Sequence, residues 1–146
     1  MRKFHFRLDK YQNLKVQEEK AARLELARAR RTFQEETGKL AALQKKTSEL
    51  LAVNRKLLKG QIQRELLDVC NGYLRVQRCS QIEQAAAALQ AEEKMKRKQE
   101  VYLEVRKASK LLERLYRRQW TAYCQEFLRE EQKMLDEIGL ISYSRD

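Results

Sequence analysis

Few side chains in this 146-residue sequence are of the types that carry out chemistry. The single histidine, His5, lies near the N-terminus, so neither a histidine-based triad nor a histidine-based metal site can be assembled. Cys70, Cys79 and Cys124 lack metal-ligand spacing, and we interpret them as reduced, small hydrophobic residues in a reducing compartment. Thr37-Gly38-Lys39 lacks the strand and the preceding glycine of a phosphate-binding loop. The sequence therefore predicts no enzyme, no metal, no cofactor and no small-molecule substrate.

Cationic side chains are the first candidates for binding a partner, because the net charge is +11. Residues 1–60 contain 16 basic and 7 acidic residues, and residues 94–118 contain 10 basic and 3 acidic ones. In an antiparallel hairpin these stretches form a cationic belt at one end of the molecule: Arg2, Lys3, Arg7, Lys107, Lys110, Arg114, Arg117 and Arg118. An acidic protein explains this belt, and a solvated helix surface is the alternative. Nucleic acid is the disfavoured partner, since no aromatic–basic platform, zinc site or basic-zipper geometry accompanies the charge.

The elements that position these residues are helices. There is no proline and there are only 4 glycines, too few for the turns of a β-sandwich or an alternating α/β fold. With 36% charged residues and a mean hydropathy of −0.79, the chain is too polar for a compact globule. The longest apolar run, residues 85–89, is far shorter than the roughly 20 residues that span a bilayer. The charged opening residues do not resemble a signal peptide.

Apolar residues recur in steps of three and four along most of the chain, which is typical of a coiled-coil seam. In the first half the predicted seam is Leu26, Ala29, Phe33, Glu36, Leu40, Leu43, Thr47, Leu50, Asn54 and Leu57. In the second half it is Ile62, Leu66, Val69, Tyr73, Val76, Ile82, Ala86 and Leu89, recovering at Val105, Ala108, Leu112 and Leu115. Gly60 favours a turn between the two halves, and a break at Gly72 is the alternative.

The predicted fold is all-α: a long two-helix antiparallel coiled-coil hairpin with a C-terminal helical overhang. Helix one covers about residues 4–58, the turn about 59–61, helix two about 62–138, and a frayed tail 139–146. Facing residues then sum to about 121, which places Leu40 against Ile82 and Phe33 beside Ala88 and Leu89. The polar band at residues 91–100 predicts loose packing.

The overhang is the predicted partner-binding end, because helix two has no partner in the chain beyond about residue 116. Tyr116, Trp120, Tyr123, Phe127, Met134 and Ile138 share one face of it. We expect Trp120, Tyr123 and Phe127 to bind the partner, with Arg117 and Arg118 as a charged collar. In the alternative, the N-terminal segment folds back so that Phe4 and Phe6 cover Tyr116 and Trp120, without reaching Phe127.

Several short motifs resemble the flagellar FliJ family over nearly the whole chain. They are Phe4-His5-Phe6-Arg7-Leu8, Ala21-Ala22-Arg23-Leu24, the Gly60 turn followed by Tyr73-Leu74 and Ile82-Glu83-Gln84, and Tyr123, Glu126, Glu130-Glu131-Gln132 and Asp136-Glu137. Cys70-Asn71-Gly72 departs from the uninterrupted helix expected of the family. Phe4, Phe6, Tyr73 and Leu74 join the candidate partner-binding residues.

The resemblance implies a cytoplasmic component of the flagellar type III export apparatus, associated with the inner membrane only through its partners. Those partners are the hexameric export ATPase, the cytoplasmic domain of the export gate and the export chaperones. The resemblance further implies a central-stalk-like protein that stimulates the ATPase and escorts chaperones. A basic coiled-coil adaptor or nucleic-acid-binding rod is the alternative function.

Overall fold

Two long helices packed against each other make up the chain in the computed structural model, which describes residues 3–59 and 63–144. Helix α1 runs over Asp9–Leu57 and helix α2 over Arg64–Tyr143. The residues described contain no strand. The all-α helical hairpin predicted from the sequence is confirmed.

The direction of the helices follows from side-chain contacts between them. Asn54 of α1 pairs with Asn71 of α2, Thr47 with Gln81, and Glu36 with Gln84. Residue numbers fall along α1 as they rise along α2, so the helices run antiparallel. The two residue numbers of each pair add up to a value near the predicted sum of about 121.

The seam of α1 lies where its spacing predicts. All ten predicted seam positions between Leu26 and Leu57 are buried or half-buried, with Leu26 and Thr47 the most enclosed at 4% and 9% exposed. Their three- and four-residue steps keep them on the face that meets α2.

The seam of α2, in contrast, lies one residue away from the predicted row over its first half. The observed row of buried and half-buried residues is Leu67, Cys70, Leu74, Gln77, Gln81, Gln84, Ala88, Ala91 and Met95, and Ser80, Ala87 and Glu92 beside it are also half-buried. The exposed positions of the predicted row are Leu66, Val69, Tyr73, Val76, Ile82, Ala86 and Leu89. Apolar residues stand next to each other in this stretch, as in Leu66-Leu67 and Tyr73-Leu74, so the pattern itself does not distinguish the two rows.

The predicted approach of Leu40 to Ile82 is therefore wrong, because Ile82 is 71% exposed. About two turns further along, Ala88 is buried and Phe33 is half-buried, in keeping with the predicted packing of a large residue against a small one. Leu89, the other expected neighbour of Phe33, is 59% exposed.

Both helices end at residues other than those predicted. Helix α1 begins at Asp9 rather than near residue 4, because the preceding segment is non-helical and packs on α2. Helix α2 continues through Gly139 to Tyr143, where an end near residue 138 was expected. Gly72 also lies within α2 and causes no break. The predicted turn at Gly60 lies outside the described residues.

The chain divides into two packing units. Unit 1 comprises Met1–Ala21 and Leu103–Asp146, and its described buried residues are Phe6 and Ser109. Unit 2 comprises Ala22–Tyr102, with an apolar core of Leu26, Leu74, Ala88 and Ala91. Within the described ranges, neither helix has a stretch both long and apolar enough to cross a membrane.

Candidate functional site

An aromatic cluster in unit 1 forms where the N-terminal segment packs on α2. The Phe4 ring lies 5.0 Å from the Trp120 ring and 5.7 Å from the Tyr116 ring, measured between centroids. Both pairs are nearly perpendicular, at 83° and 82° respectively, the edge-to-face geometry that aromatic quadrupoles favour. A third ring, Tyr123, lies 5.4 Å from Phe4.

Phe6 anchors this segment. Its ring packs edge-on against Tyr116 at 5.3 Å, and the residue is only 4% exposed. Its carbonyl accepts a hydrogen bond from the Asp9 backbone N–H, over 3.1 Å, at the first residue of α1. Asp9 places a negative charge in the first turn of the helix, where it interacts favourably with the helix dipole. The start of α1 and the aromatic cluster are thus joined through one residue.

Folding back of the N-terminal segment, the alternative arrangement considered from the sequence, is the observed one. The segment also extends further than expected, because it is non-helical and therefore covers more distance per residue than a helix. A groove of unit 1 is lined by Lys3, Phe4, His5, Tyr123, Glu126, Phe127 and Glu130. The expectation that the segment stops short of Phe127 is therefore wrong.

The cluster still presents apolar surface to solvent. Trp120 is 45% exposed, whereas Tyr123 and Phe127 are half-buried. A shallow apolar face of α2 is lined by Trp120, Tyr123, Cys124, Phe127 and Leu128. Phe4 and Phe6 thus hold one side of the aromatic row and leave its other side open to a partner.

Two arginines precede this open face on α2. Arg117 donates a hydrogen bond to the carboxylate of Glu113 one turn earlier, and Arg118 is exposed. Exposed ion pairs within one helix contribute little to stability, so neither guanidinium is committed to holding the fold. Both remain available to an anionic group on a partner.

Beyond Phe127, α2 carries a run of exposed apolar side chains up to its end in unit 1. These are Leu128, Met134, Leu135, Ile138, Leu140, Ile141 and Tyr143, between 46% and 85% exposed. Exposed large apolar side chains in this number at one end of a helix are characteristic of an interaction site.

The other two candidate residues, Tyr73 and Leu74, are neighbours with opposite environments in unit 2. Tyr73 is 56% exposed, whereas Leu74 is 6% exposed in the seam. Leu74 therefore packs in the seam of unit 2, while Tyr73 next to it is accessible to a partner.

The seam of unit 2 contains polar residues from both helices. The predicted seam of α1 included its polar residues, whereas the predicted seam of α2 did not include glutamines 77, 81 and 84. The Gln84 amide donates to the backbone carbonyl of Glu36, over 3.1 Å, and to its carboxylate. Hydrogen bonds from Lys39 and then Gln84 lower the pKa of the Glu36 carboxyl below its ordinary value. Lys98 similarly lowers the pKa of Glu25 across the helices. One signal for these glutamines was present in the sequence. Glu36 and Thr47 are polar residues at seam positions of α1, and polar residues of α2 are needed opposite them.

The described residues contain no cluster of histidine, cysteine and carboxylate side chains suited to a metal ion. The three cysteines are free, and Cys124 is half-buried beside the open aromatic face.

The fold and this surface define an all-α helical hairpin protein with an exposed aromatic surface. The family described as flagellar FliJ protein matches residues 4–146, nearly the whole chain, and the chain belongs to that family. It is a component of the flagellar protein export apparatus, and the family is non-catalytic. No match was found among curated proteins or among solved structures.

Proposed function

We propose that the chain acts like a central stalk that binds and stimulates the hexameric export ATPase. Trp120, Tyr123 and Phe127 are the contact residues, and Arg117 and Arg118 form the charged collar beside them. The observation that carries this proposal is the aromatic row of α2, which Phe4 covers on one side and solvent reaches on the other.

The composition of this surface supports a protein partner. Tryptophan, tyrosine and arginine dominate binding hot spots, because they combine large contact area with a polar group. Phe4 and Phe6 hold the aromatic side chains in place before binding, which reduces the entropy lost on association.

The cytoplasmic domain of the export gate and the export chaperones require a second surface if they bind alongside the ATPase. Exposed Tyr73, supported by buried Leu74, provides one in unit 2. Val69 and Val76, 72% and 63% exposed, extend it along the same helix face. The chain thereby couples the ATPase to the gate and passes chaperones on.

The test uses the full-length chain with the purified export ATPase, measuring both co-purification and the rate of ATP hydrolysis. Trp120→Ala and Phe127→Ala each remove a large contact, and loss of a hot-spot residue weakens binding by about 30-fold or more. Ile82→Ala is the matched control, because it truncates an apolar residue that is 71% exposed in the other unit.

Circular dichroism of each variant tests whether it remains helical. The proposal predicts loss of binding and stimulation for the first two variants and full activity for the control. Equal stimulation by all three variants would show that the aromatic row is not the ATPase contact. Tyr73→Ala is expected to reduce binding of the gate domain while leaving ATPase stimulation intact.

A further inference from the structure

A stripe of cations runs along the outer face of α2 in unit 1. Lys107, Lys110 and Arg114 follow each other in steps of three and four, and all three side chains are exposed. The buried side of the same stretch is formed by Ser109, with Val105 and Leu112 half-buried, so the stripe faces away from the packed side. Within residues 3–59 and 63–144 no carboxylate forms an ion pair with any of the three cations.

The stripe is not purely polar. Leu103 and Leu111 share the outer face with the lysines and are 44% and 65% exposed. The charges from Lys107 to Arg114 span about 10 Å at helical rise, and the stripe ends one turn before Arg118 of the charged collar. Leu111 lies between Lys110 and Arg114, and its exposed side chain becomes buried if this face meets a surface with an apolar interior.

We propose that this stripe binds directly to an anionic phospholipid bilayer. A helix face that combines lysine and arginine with leucine suits a membrane surface, where phosphate groups lie outside and acyl chains begin a few ångströms below. Each cation near an anionic membrane contributes about 1 kcal/mol, equivalent to about fivefold in affinity. The contact is independent of the aromatic row, so it operates whether or not the ATPase is bound there.

Nucleic acid is the competing polyanion, and two features of the stripe favour lipid over it. Binding to phosphate backbones gains nothing from exposed leucine, whereas insertion into a bilayer does. Single-stranded nucleic acid is held by aromatic stacking platforms, and no aromatic residue stands between Leu103 and Leu115.

The experiment is co-sedimentation of the full-length chain with vesicles of phosphatidylcholine alone or with about one-third phosphatidylglycerol. The triple variant Lys107→Gln, Lys110→Gln, Arg114→Gln removes the stripe. The matched control is Lys45→Gln, Lys46→Gln, Lys56→Gln, which makes the same change in net charge at exposed cations of unit 2. Leu111→Ser removes apolar surface at constant charge.

We expect the unmodified chain to sediment only with the anionic vesicles. The stripe variant should bind about 100-fold more weakly, from three fivefold losses, and the control should retain most of its affinity. Leu111→Ser should weaken vesicle binding and leave binding to a 20-base-pair DNA duplex unchanged. Absence of vesicle binding, equal losses in both triple variants, or tighter binding of the duplex through the same three residues would each overturn the proposal.

Discussion

The side-chain amide of Gln81 donates a hydrogen bond of 2.7 Å to the Thr47 hydroxyl across the seam of unit 2. The same amide donates to the backbone carbonyl of Leu43 over 3.2 Å, which leaves Gln81 satisfied on the α1 side. Hydrogen bonds at seam positions specify how two helices align, because any shift along the axis leaves a buried polar group without its partner. Gln81 therefore secures the register at some cost in apolar contact.

Gln77 illustrates that cost. It is 7% exposed, and its Nε2 atom has no hydrogen-bond partner among the described residues. We expect Gln77→Leu to raise the free energy of unfolding by about 1–2 kcal/mol, because an unsatisfied buried group is removed and apolar contact is gained. Urea denaturation measures the change. Gln81→Leu is the comparison, and it should stabilise less or destabilise, since it breaks bonds that are made. An unchanged midpoint for Gln77→Leu would mean that water satisfies the amide.

Gly72 is helical, and a Cβ atom added there meets nothing within 4 Å. We expect Gly72→Ala to stabilise the chain by about 1 kcal/mol, because alanine loses less backbone entropy in a helix. Thermal denaturation followed by circular dichroism tests this, with Gly38→Ala as an equivalent site in α1. Destabilisation at Gly72 alone would indicate a non-helical conformation near the turn.

Acid should weaken the seam of unit 2. The pKa of Glu36 is lowered from 4.5 by hydrogen bonds from Lys39 and Gln84. Because the folded-state pKa is below the unfolded one, the stabilisation is present above pH 4.5 and is lost as pH falls through the lowered pKa. Glu36→Gln should reduce this acid-induced decline in the urea midpoint. Glu35→Gln is the control and should reduce it less, because the Glu35 carboxylate pairs with Arg31 in the same helix. Identical pH profiles for the two variants would contradict the assignment.

The band at residues 91–100 should open more readily than the rest of unit 2. Ala91 is its only buried residue and Met95 is half-buried, while most of the remaining side chains are charged and exposed. Few buried contacts mean a small free energy of local opening. Amide hydrogen exchange should be faster here than across residues 74–84, and equal protection of the two stretches would contradict this prediction.

Trp120 is the only tryptophan of the chain, so its fluorescence reports on the cover provided by the N-terminal segment. Phe4→Ala should shift its emission to longer wavelength, because water replaces the ring 5.0 Å away. Tyr143→Ala is the control, since that residue is 85% exposed. An unchanged spectrum in Phe4→Ala would show that the segment does not cover Trp120 in solution.

The spacing of residues along the sequence predicted only part of the candidate site. The aromatic row of α2 was predictable, because Trp120, Tyr123 and Phe127 share a helix face. The sequence offers half-coverage of the row only as one of two alternatives, since a few residues before a helix carry no periodicity to show where they pack. The position of Phe4 between Tyr116, Trp120 and Tyr123 results from tertiary packing alone.

The sequence by itself determined the all-α hairpin and the seam of α1, because turn-forming residues are scarce and apolar residues recur there in steps of three and four. It did not determine which face of α2 meets that seam. Val69, Tyr73 and Val76 are the more apolar choice, yet Leu74, Gln77 and Gln81 are the residues that pack inward. The tertiary structure decided this point, since the Gln81 amide donates hydrogen bonds to the Thr47 hydroxyl and the Leu43 carbonyl of α1, which an apolar side chain at that position cannot do.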